Sequence, residues 1–159
     1  MPAIIFICTA NICRSPLATA LFREKVRQSD ESWRVESAGT WAYEGERAVE
    51  NVFQVLESRG LDISDHRSRL ATHDLLASFD LILTMEQGHM EALKAEYPDL
   101  AGRIYMLSEV TSQNLDIKDP MGGPLYEFEE TAKEFERIFD QGYENILRLA
   151  NNAPQSKIK

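Results

Sequence analysis

Residues 3–16 read AIIFICTANICRSP and join an apolar run to a polar turn and a helix start. Residues 3–7 are continuously apolar, a pattern typical of a strand buried on both faces of a parallel sheet. Ser15 and Pro16 predict the start of a helix, with Ser15 as the N-cap and Pro16 at the first helical position. Residues 8–15 are therefore expected to form a loop between a buried strand and a helix.

Strands and helices alternate along the rest of the chain. The predicted strands are residues 3–7, 33–37, 79–83 and 103–107, and the predicted helices are residues 15–26, 49–56, 86–97 and 128–149. This alternation predicts an α/β fold, with an open parallel sheet of about four strands and helices on both faces. In such sheets ligands bind beyond the carboxyl ends of the strands, which places the expected site at residues 8–15.

The composition is that of one globular domain. The chain has 159 residues, of which 43% are hydrophobic and 27% are charged. We expect a single domain over residues 1–150 and a polar C-terminal tail over residues 151–159. The formal net charge is −9, and an acidic surface repels phosphodiester backbones. Nucleic-acid binding is therefore not expected as the main function.

The sequence also carries expectations about location. No stretch approaches the roughly 20 apolar residues of a membrane span, so membrane insertion is not expected. The apolar N-terminus is short and lacks a basic leader, and Arg14 stands where a signal-peptide cleavage site would lie. Cys8 and Cys13 are the only cysteines, too few for a disulfide framework. These features predict a protein of the reducing cytoplasm.

Residues 8–15 contain a candidate nucleophile, a loop suited to binding an anion, and an arginine that can pair with phosphate oxygens. A loop that opens a helix presents backbone N–H groups and the positive end of the helix dipole, which attract an anion. The same field favours the thiolate of Cys8 at the strand end. The planar guanidinium of Arg14 pairs two phosphate oxygens at once, and Ser15 can donate a hydrogen bond to the thiolate. These parts predict phosphoryl transfer through a cysteinyl-phosphate.

The two cysteines have two other interpretations. Cys8 and Cys13 could be small buried hydrophobic residues beside a helix start, since cysteine is among the most buried residue types. A zinc site is disfavoured because the spacing of Cys8 and Cys13 is not a usual zinc spacing, and the three histidines form no i, i+4 pair. We expect neither a metal nor a cofactor.

The chain resembles the low-molecular-weight protein tyrosine phosphatase family over nearly its whole length. Five segments carry the resemblance: CTANICRSP at residues 8–16, SAGT at 37–40, HRSRL at 66–70, DLILTME at 80–86 and DP at 119–120. The resemblance implies that Cys8 is the nucleophile and that Arg14 binds the phosphoryl group and its transition state. It also implies that Asp119 is the general acid, which protonates the leaving phenolate and later activates water. Without the resemblance, Asp119 would be a turn residue before Pro120.

The resemblance assigns further residues to the site. The substrate-binding loop would comprise Thr9, Ala10, Asn11, Ile12, Cys13 and Ser15. Asn11, Ser37 and His66 would form a hydrogen-bonded scaffold under this loop, and asparagine tolerates the positive φ of a tight cradle. Trp41 and Tyr43 would form one wall of the substrate pocket. The family also implies a reversible Cys8–Cys13 disulfide that protects the nucleophile from further oxidation.

The sequence departs from the family pattern at two places. Ala10 stands where the family usually has glycine, and a positive φ there would cost about 1 kcal/mol. Met121, Gly122 and Gly123 follow Asp119-Pro120, where many members carry an aromatic pair. The resulting Asp-Pro-Met-Gly-Gly run is similar to the protein-arginine phosphatase branch, but that branch typically has threonine at the position of Ile12.

The leading hypothesis is a phosphotyrosine protein phosphatase, and the first alternative is a protein-arginine phosphatase of the same fold. A thiol-coupled arsenate reductase needs relay cysteines, and none follows Cys13. A catalytically silent phosphoprotein-binding module is disfavoured by the joint presence of Cys8, Arg14 and Asp119. The expected partners are phosphorylated proteins and inhibitory phosphate or other oxyanions. We expect a monomer or a weak dimer.

Overall fold

Four parallel strands form the centre of the molecule. The computed structural model describes residues 1–153. Its strands are β1 (Ala3–Cys8), β2 (Arg34–Gly39), β3 (Leu81–Thr84) and β4 (Ile104–Met106). The strand order is β2-β1-β3-β4, and each neighbouring pair is parallel. The predicted open parallel α/β sheet is confirmed.

Within residues 1–153, five α-helices and two 3-10 helices surround the sheet. The α-helices are α1 (Arg14–Arg27), α2 (Glu50–Glu57), α3 (His73–Ala77), α4 (Gln87–Glu96) and α5 (Leu125–Asn151). The 3-10 helices are Pro98–Arg103 and Leu107–Thr111. The sequence prediction lacked α3 and both 3-10 helices, because elements of five or six residues are too short to show a helical repeat. The predicted tail overlaps the end of α5 at Asn151, and residues 154–159 lie outside the described residues.

The two faces of β1 build two separate cores. Ile4, Phe6 and Cys8 point to one face and pack with residues of α1, α2 and α5. Ile5 and Ile7 point to the other face and pack with residues of α3, α4 and the first 3-10 helix. Successive side chains of a strand point to opposite faces, so the continuous apolar run of β1 is buried on both sides.

The start of α1 differs from the prediction. The helix begins at Arg14 with Cys13 as its N-cap, so the prediction of Ser15 as the N-cap was wrong. The Ser15 hydroxyl is instead bonded to Cys8 and Asn11 beneath the preceding loop. Pro16 is the third helical residue, where a missing N–H costs nothing because the first-turn N–H groups have no partner within the helix.

The strand register brings the carboxyl ends of three strands to one edge of the sheet. Cys8 of β1 pairs with Gly39 of β2, and Ile7 pairs with Thr84 of β3. The loops after these strands therefore meet above the same edge. Within residues 1–153, no helix is both long and apolar enough to cross a bilayer.

The aromatic cluster between α1 and α5 offers a test of the larger core. Phe22 is fully buried and its ring contacts Phe6, Trp33 and Phe139 at centroid distances of 5.7, 5.2 and 5.1 Å. We expect Phe22→Ala to lower the free energy of unfolding by about 3–5 kcal/mol, because it opens a cavity that rigid neighbours cannot fill. Urea denaturation measures the loss. Phe53→Ala on α2 is the control, because Phe53 is only half-buried. Equal losses in the two variants would contradict this view of the core.

Candidate active site

The loop between β1 and α1 lies where the sequence placed it. Cys8 is the last residue of β1, and Arg14 is the first residue of α1. The intervening residues 9–13 therefore sit at the positive end of the α1 dipole, where backbone N–H groups lack partners within the helix. Cys8 and Cys13 are both buried and both free. This arrangement can hold an oxyanion next to a thiol.

Asn11 is the internal support of this loop. It is 0% exposed and has a φ of 60°, so the expected positive φ is present. Its Oδ1 accepts the backbone N–H of Arg69 at 3.0 Å, which fixes the orientation of the amide. The Nδ2 group then donates to Ser15 Oγ at 2.8 Å and to Ser37 Oγ at 2.9 Å. All of the polar atoms of the buried Asn11 amide have partners, which offsets the cost of burying them.

His66 supports the same residue from outside the loop. Its Nε2 lies 2.8 Å from the carbonyl oxygen of Asn11. A carbonyl only accepts, so Nε2 carries the hydrogen and donates. Burial lowers the pKa of His66, and the neighbouring guanidinium groups lower it further. The structure thus brings Asn11, Ser37 and His66 together as a scaffold.

Ser15 connects this scaffold to Cys8. The Ser15 oxygen accepts from Asn11 Nδ2, and Cys8 Sγ lies 3.0 Å from it. The amide can only donate, so the Ser15 hydroxyl hydrogen points either to the sulfur or to the carbonyl oxygen of Ala38, which lies farther away at 3.5 Å. A hydrogen bond from Ser15 stabilises a thiolate more than a thiol, since charged acceptors form the stronger bonds.

Ala10 does not carry the strain that a positive φ would impose. Among residues 1–153, the only non-glycine residues with a positive φ are Asn11 and Ser112. The conformational cost considered for Ala10 is therefore absent. The left-handed turn of the loop falls one residue later, on the asparagine.

Arg14 is almost fully buried, with 2% of its surface exposed, and has three partners. Its Nη1 donates to Glu86 Oε2 at 2.5 Å and to the carbonyl oxygen of Ile117 at 2.8 Å. Its Nη2 lies 3.7 Å from Asp119 Oδ2. These contacts hold the guanidinium plane between β3 and the segment that carries Asp119, so little rotamer entropy remains to be lost when an anion binds.

The segment around Asp119 forms a defined turn. Asp119 Oδ1 accepts the N–H of Met121 at 3.1 Å, and the N–H of Gly123 donates to Pro120 O at 2.9 Å. Gly122 has a φ of 82°, a conformation that favours glycine. Nearly half of the Asp119 side-chain surface is exposed, so its carboxyl group is open to solvent and to a substrate.

The predicted aromatic wall lies beside the loop. The backbone N–H of Trp41 donates to the carbonyl oxygen of Thr9 at 2.9 Å. The rings of Trp41 and Tyr43 lie 6.4 Å apart and are 75% and 72% exposed as residues. Ile12 is half-buried, and its carbonyl oxygen accepts the N–H of Val49 at 2.9 Å. Exposed aromatic residues next to an anion cradle suit an aromatic substrate.

The surroundings of Cys13 disfavour the thiolate form of its side chain. Burial raises the pKa of the Cys13 thiol, and the nearby Asp119 carboxylate raises it further, against the opposing effect of Arg14. Cys13 is therefore a neutral thiol at neutral pH. Among residues 1–153, no group of three or more His, Cys, Asp or Glu side chains is arranged to hold a metal ion.

Sequence reasoning missed three residues of the site. Glu86 holds Arg14, His89 bonds to Thr9 at 2.9 Å, and Gly39 lies against the carbonyl oxygen of Thr9. Glu86 closely follows β3, and residues after the carboxyl end of a parallel strand are candidates for the site. No sequence signal connects His89 or Gly39 with Thr9, because these contacts depend on the tertiary fold.

The family comparison agrees with this geometry. The model of the family described as "Low molecular weight phosphotyrosine protein phosphatase" matches residues 3–151. The chain belongs to this family. It is therefore related to phosphoric monoester hydrolases that act on phosphorylated proteins, and the predicted family membership is confirmed.

Individual members of the phosphatase family are similar over most of the chain. The probable low molecular weight protein-tyrosine-phosphatase EpsP of Ralstonia nicotianae is 36% identical over 92% of this chain and 97% of its own length. The protein-arginine-phosphatase of Bacillus subtilis is 32% identical over 87% of this chain and 92% of its own length. Tyrosine phosphatases and arginine phosphatases therefore both occur among relatives with similar sequence identity to this chain.

Solved structures of phosphatases repeat this result. The low molecular weight protein tyrosine phosphatase of T. tengcongensis has a TM-score of 0.87 at 35% identity, covering 91% of this chain and 99% of that one. A mutant of the YwlE arginine phosphatase with a phosphorylated active-site serine has a TM-score of 0.87 at 30% identity, covering 92% of this chain and 99% of that one. Tyrosine phosphatases and arginine phosphatases therefore share the backbone fold of this chain.

Substitution of Gly39 tests how closely β2 must pack against the loop between β1 and α1. A Cβ atom at Gly39 would lie 2.3 Å from the carbonyl oxygen of Thr9. We expect Gly39→Ala to displace Thr9 and to lower kcat/KM for an aryl phosphate by about 10- to 100-fold, because small misplacements of a catalytic loop are costly. Gly88→Ala on α4 is the control, because no atom lies within 4 Å of its added Cβ. Wild-type kinetics in Gly39→Ala would refute the proposed packing constraint.

Proposed function

We propose that this phosphatase hydrolyses phosphotyrosine in proteins, with Cys8 as nucleophile, Arg14 as phosphoryl-binding group and Asp119 as general acid. One observation carries the proposal: the fold gathers these three residues around a single loop between a strand and a helix. Cys8 ends β1, Arg14 begins α1, and Asp119 approaches Arg14 to 3.7 Å from a distant part of the chain.

The first chemical step transfers the phosphoryl group to sulfur. The Cys8 thiolate attacks phosphorus, the S–P bond forms, and the bond from phosphorus to the phenolic oxygen breaks. The Asp119 carboxyl group supplies the proton that the leaving phenolate needs. The loop N–H groups and Arg14 bind the equatorial oxygens, where charge must be stabilised in the transition state.

The second step regenerates the enzyme. A water molecule attacks phosphorus, Asp119 takes a proton from this water, and the S–P bond breaks to release phosphate and the Cys8 thiolate. The Ser15 hydroxyl supports this departure because its hydrogen bond strengthens as charge returns to sulfur. Both half-reactions therefore use the same residues with Asp119 in opposite protonation states.

The expected ligands and setting follow from this chemistry. Inorganic phosphate and other tetrahedral oxyanions should compete for the loop, since they resemble the transferred group. We place the enzyme in the cytoplasm, where the thiol of Cys8 stays reduced. A monomer or weak dimer remains our prediction for the oligomeric state. The Cys8–Cys13 disulfide under oxidation also stays a prediction, and it requires peroxide or a similar oxidant.

A protein-arginine phosphatase is the second candidate. The Met121-Gly122-Gly123 turn favours it, as does the similarity to protein-arginine phosphatases. Ile12 favours phosphotyrosine instead. An apolar side chain at the loop rim offers contact to a phenol ring, whereas guanidinium N–H groups would lose water there without gaining a partner.

The role of Asp119 is testable through the leaving group. We expect Asp119→Asn to lower kcat/KM for phosphotyrosine by about 10²–10⁴-fold, because kcat/KM reports the transfer to sulfur and the phenolate then leaves without a proton. The loss should be much smaller for dinitrophenyl phosphate, whose leaving group departs unaided. Asp140→Asn on α5 is the control and should keep both activities, because Asp140 is an exposed aspartate that pairs with Lys25. Equal losses on the two substrates would remove Asp119 from the acid role.

Substrate preference is testable at Ile12. We expect the wild type to prefer phosphotyrosine over phosphoarginine in kcat/KM by at least about tenfold, because an apolar rim accepts a ring better than a guanidinium. Ile12→Thr should narrow or invert this ratio, whereas Ile12→Val keeps an apolar rim and should preserve it. Faster hydrolysis of phosphoarginine by the wild type would establish the alternative function.

A further inference from the structure

A chain of hydrogen bonds on the α4 side links the two ends of the phosphate-binding loop. Thr9, the first loop residue, has its Oγ1 at 2.9 Å from His89 Nε2. His89 Nδ1 accepts the backbone N–H of Glu86 at 3.2 Å. The carboxylate of Glu86 in turn accepts from Arg14, which ends the loop, at 2.5 Å. Only His89 and Glu86 lie between the two ends of the loop in this chain of bonds.

The donors in this chain fix a single tautomer of His89. A backbone N–H can only donate, so Nδ1 presents its lone pair to Glu86 and the hydrogen resides on Nε2. Nε2 therefore donates to the Thr9 hydroxyl oxygen. The ring is buried, and burial lowers its pKa. The charged groups that act on it are Glu86, Arg14, Asp116 and Asp119.

Thr9 is held from its other side as well. Its carbonyl oxygen accepts the N–H of Trp41 at 2.9 Å and lies against Gly39. The backbone of Thr9 is therefore fixed by the segment after β2, while its side chain is fixed by α4. Because Thr9 is held from both sides and is the first residue of the loop, its position determines where the loop N–H groups lie.

We propose that His89 is a positioning residue that sets the separation between Thr9 and Arg14. This inference rests on the proposed function and deepens it, since the loop N–H groups and the guanidinium must converge on one phosphoryl group. His89 does not touch the substrate in this account. It acts through Thr9 on one side and through Glu86 on the other, and its loss should weaken transition-state stabilisation.

Substituting His89 by asparagine or by glutamine separates the two hydrogen bonds of the ring, one to Glu86 and one to Thr9. In His89→Asn, the short amide can still accept from the Glu86 N–H but does not reach Thr9. In His89→Gln, the longer amide can donate to Thr9 in place of Nε2. Thr9→Val removes the hydroxyl and keeps the shape of the side chain. His73→Asn is the matched control, because His73 is a half-buried histidine on α3 that pairs with Asp99 and makes no contact with the loop.

The experiment is a double-mutant cycle on the full chain, with kcat/KM for para-nitrophenyl phosphate as the readout and thermal unfolding in parallel. We expect His89→Asn and Thr9→Val each to lower kcat/KM by about three- to tenfold, the effect of one lost hydrogen bond. The double variant should be no worse than the more impaired single variant, because both remove the same bond. His89→Gln should lose less than His89→Asn, and His73→Asn should match the wild type.

Additive losses in the double variant, or wild-type kcat/KM in Thr9→Val, would overturn the proposal. Thr9 is exposed, so its variant is informative even where a change at the buried His89 prevents folding. Cys8→Ser is assayed in the same series to separate this proposal from the proposed function. If Cys8→Ser loses turnover and the cycle is additive, only the role of His89 fails. If Cys8→Ser retains turnover, the proposed function fails.

Discussion

The buried amide of Asn11 is the interaction on which the site depends. Its three hydrogen bonds reach Ser15 in α1, Ser37 in β2 and the backbone of Arg69. Its left-handed backbone turns the loop at the point where β1 gives way to α1. One residue therefore both bends the loop and ties it to three separate parts of the fold. Because the amide is fully buried, losing any of these partners would leave a polar group without compensation.

The parallel sheet determines why these parts meet. Parallel pairing places the carboxyl ends of β1, β2 and β3 at one edge, so the loops that follow them share a single surface. The last residue of β1 supplies the thiol, the loop after β2 supports Thr9, and the loop after β3 supplies Glu86. The segment that carries Asp119 is attached to this edge through Ile117, whose N–H donates to the carbonyl oxygen of Met85 at 2.8 Å. Four segments that are distant in sequence thus converge at the loop between β1 and α1.

Much of this arrangement could be predicted from the sequence, for physical reasons. The apolar run of β1 predicts burial on both faces, and Asn11 is a residue type that tolerates the positive φ it adopts. Local chemistry also predicted the importance of Cys8 and Arg14, whereas Asp119 depended on the family resemblance. The N-cap was misplaced because Ser15 bonds within the site rather than to its own helix. The roles of Gly39 and His89 are set by contacts across the sheet, which no local pattern encodes.

In the proposed mechanism the phosphoryl group passes through the sulfur of Cys8, and this intermediate can be observed directly. The most direct test is rapid quenching of the Asp119→Asn variant during turnover of dinitrophenyl phosphate, followed by peptide mass spectrometry. We expect one added phosphoryl group on the peptide that contains Cys8, because the water step lacks its base and the intermediate accumulates. A phosphoryl group on a different residue, or none on any peptide while turnover continues, would contradict the proposed mechanism.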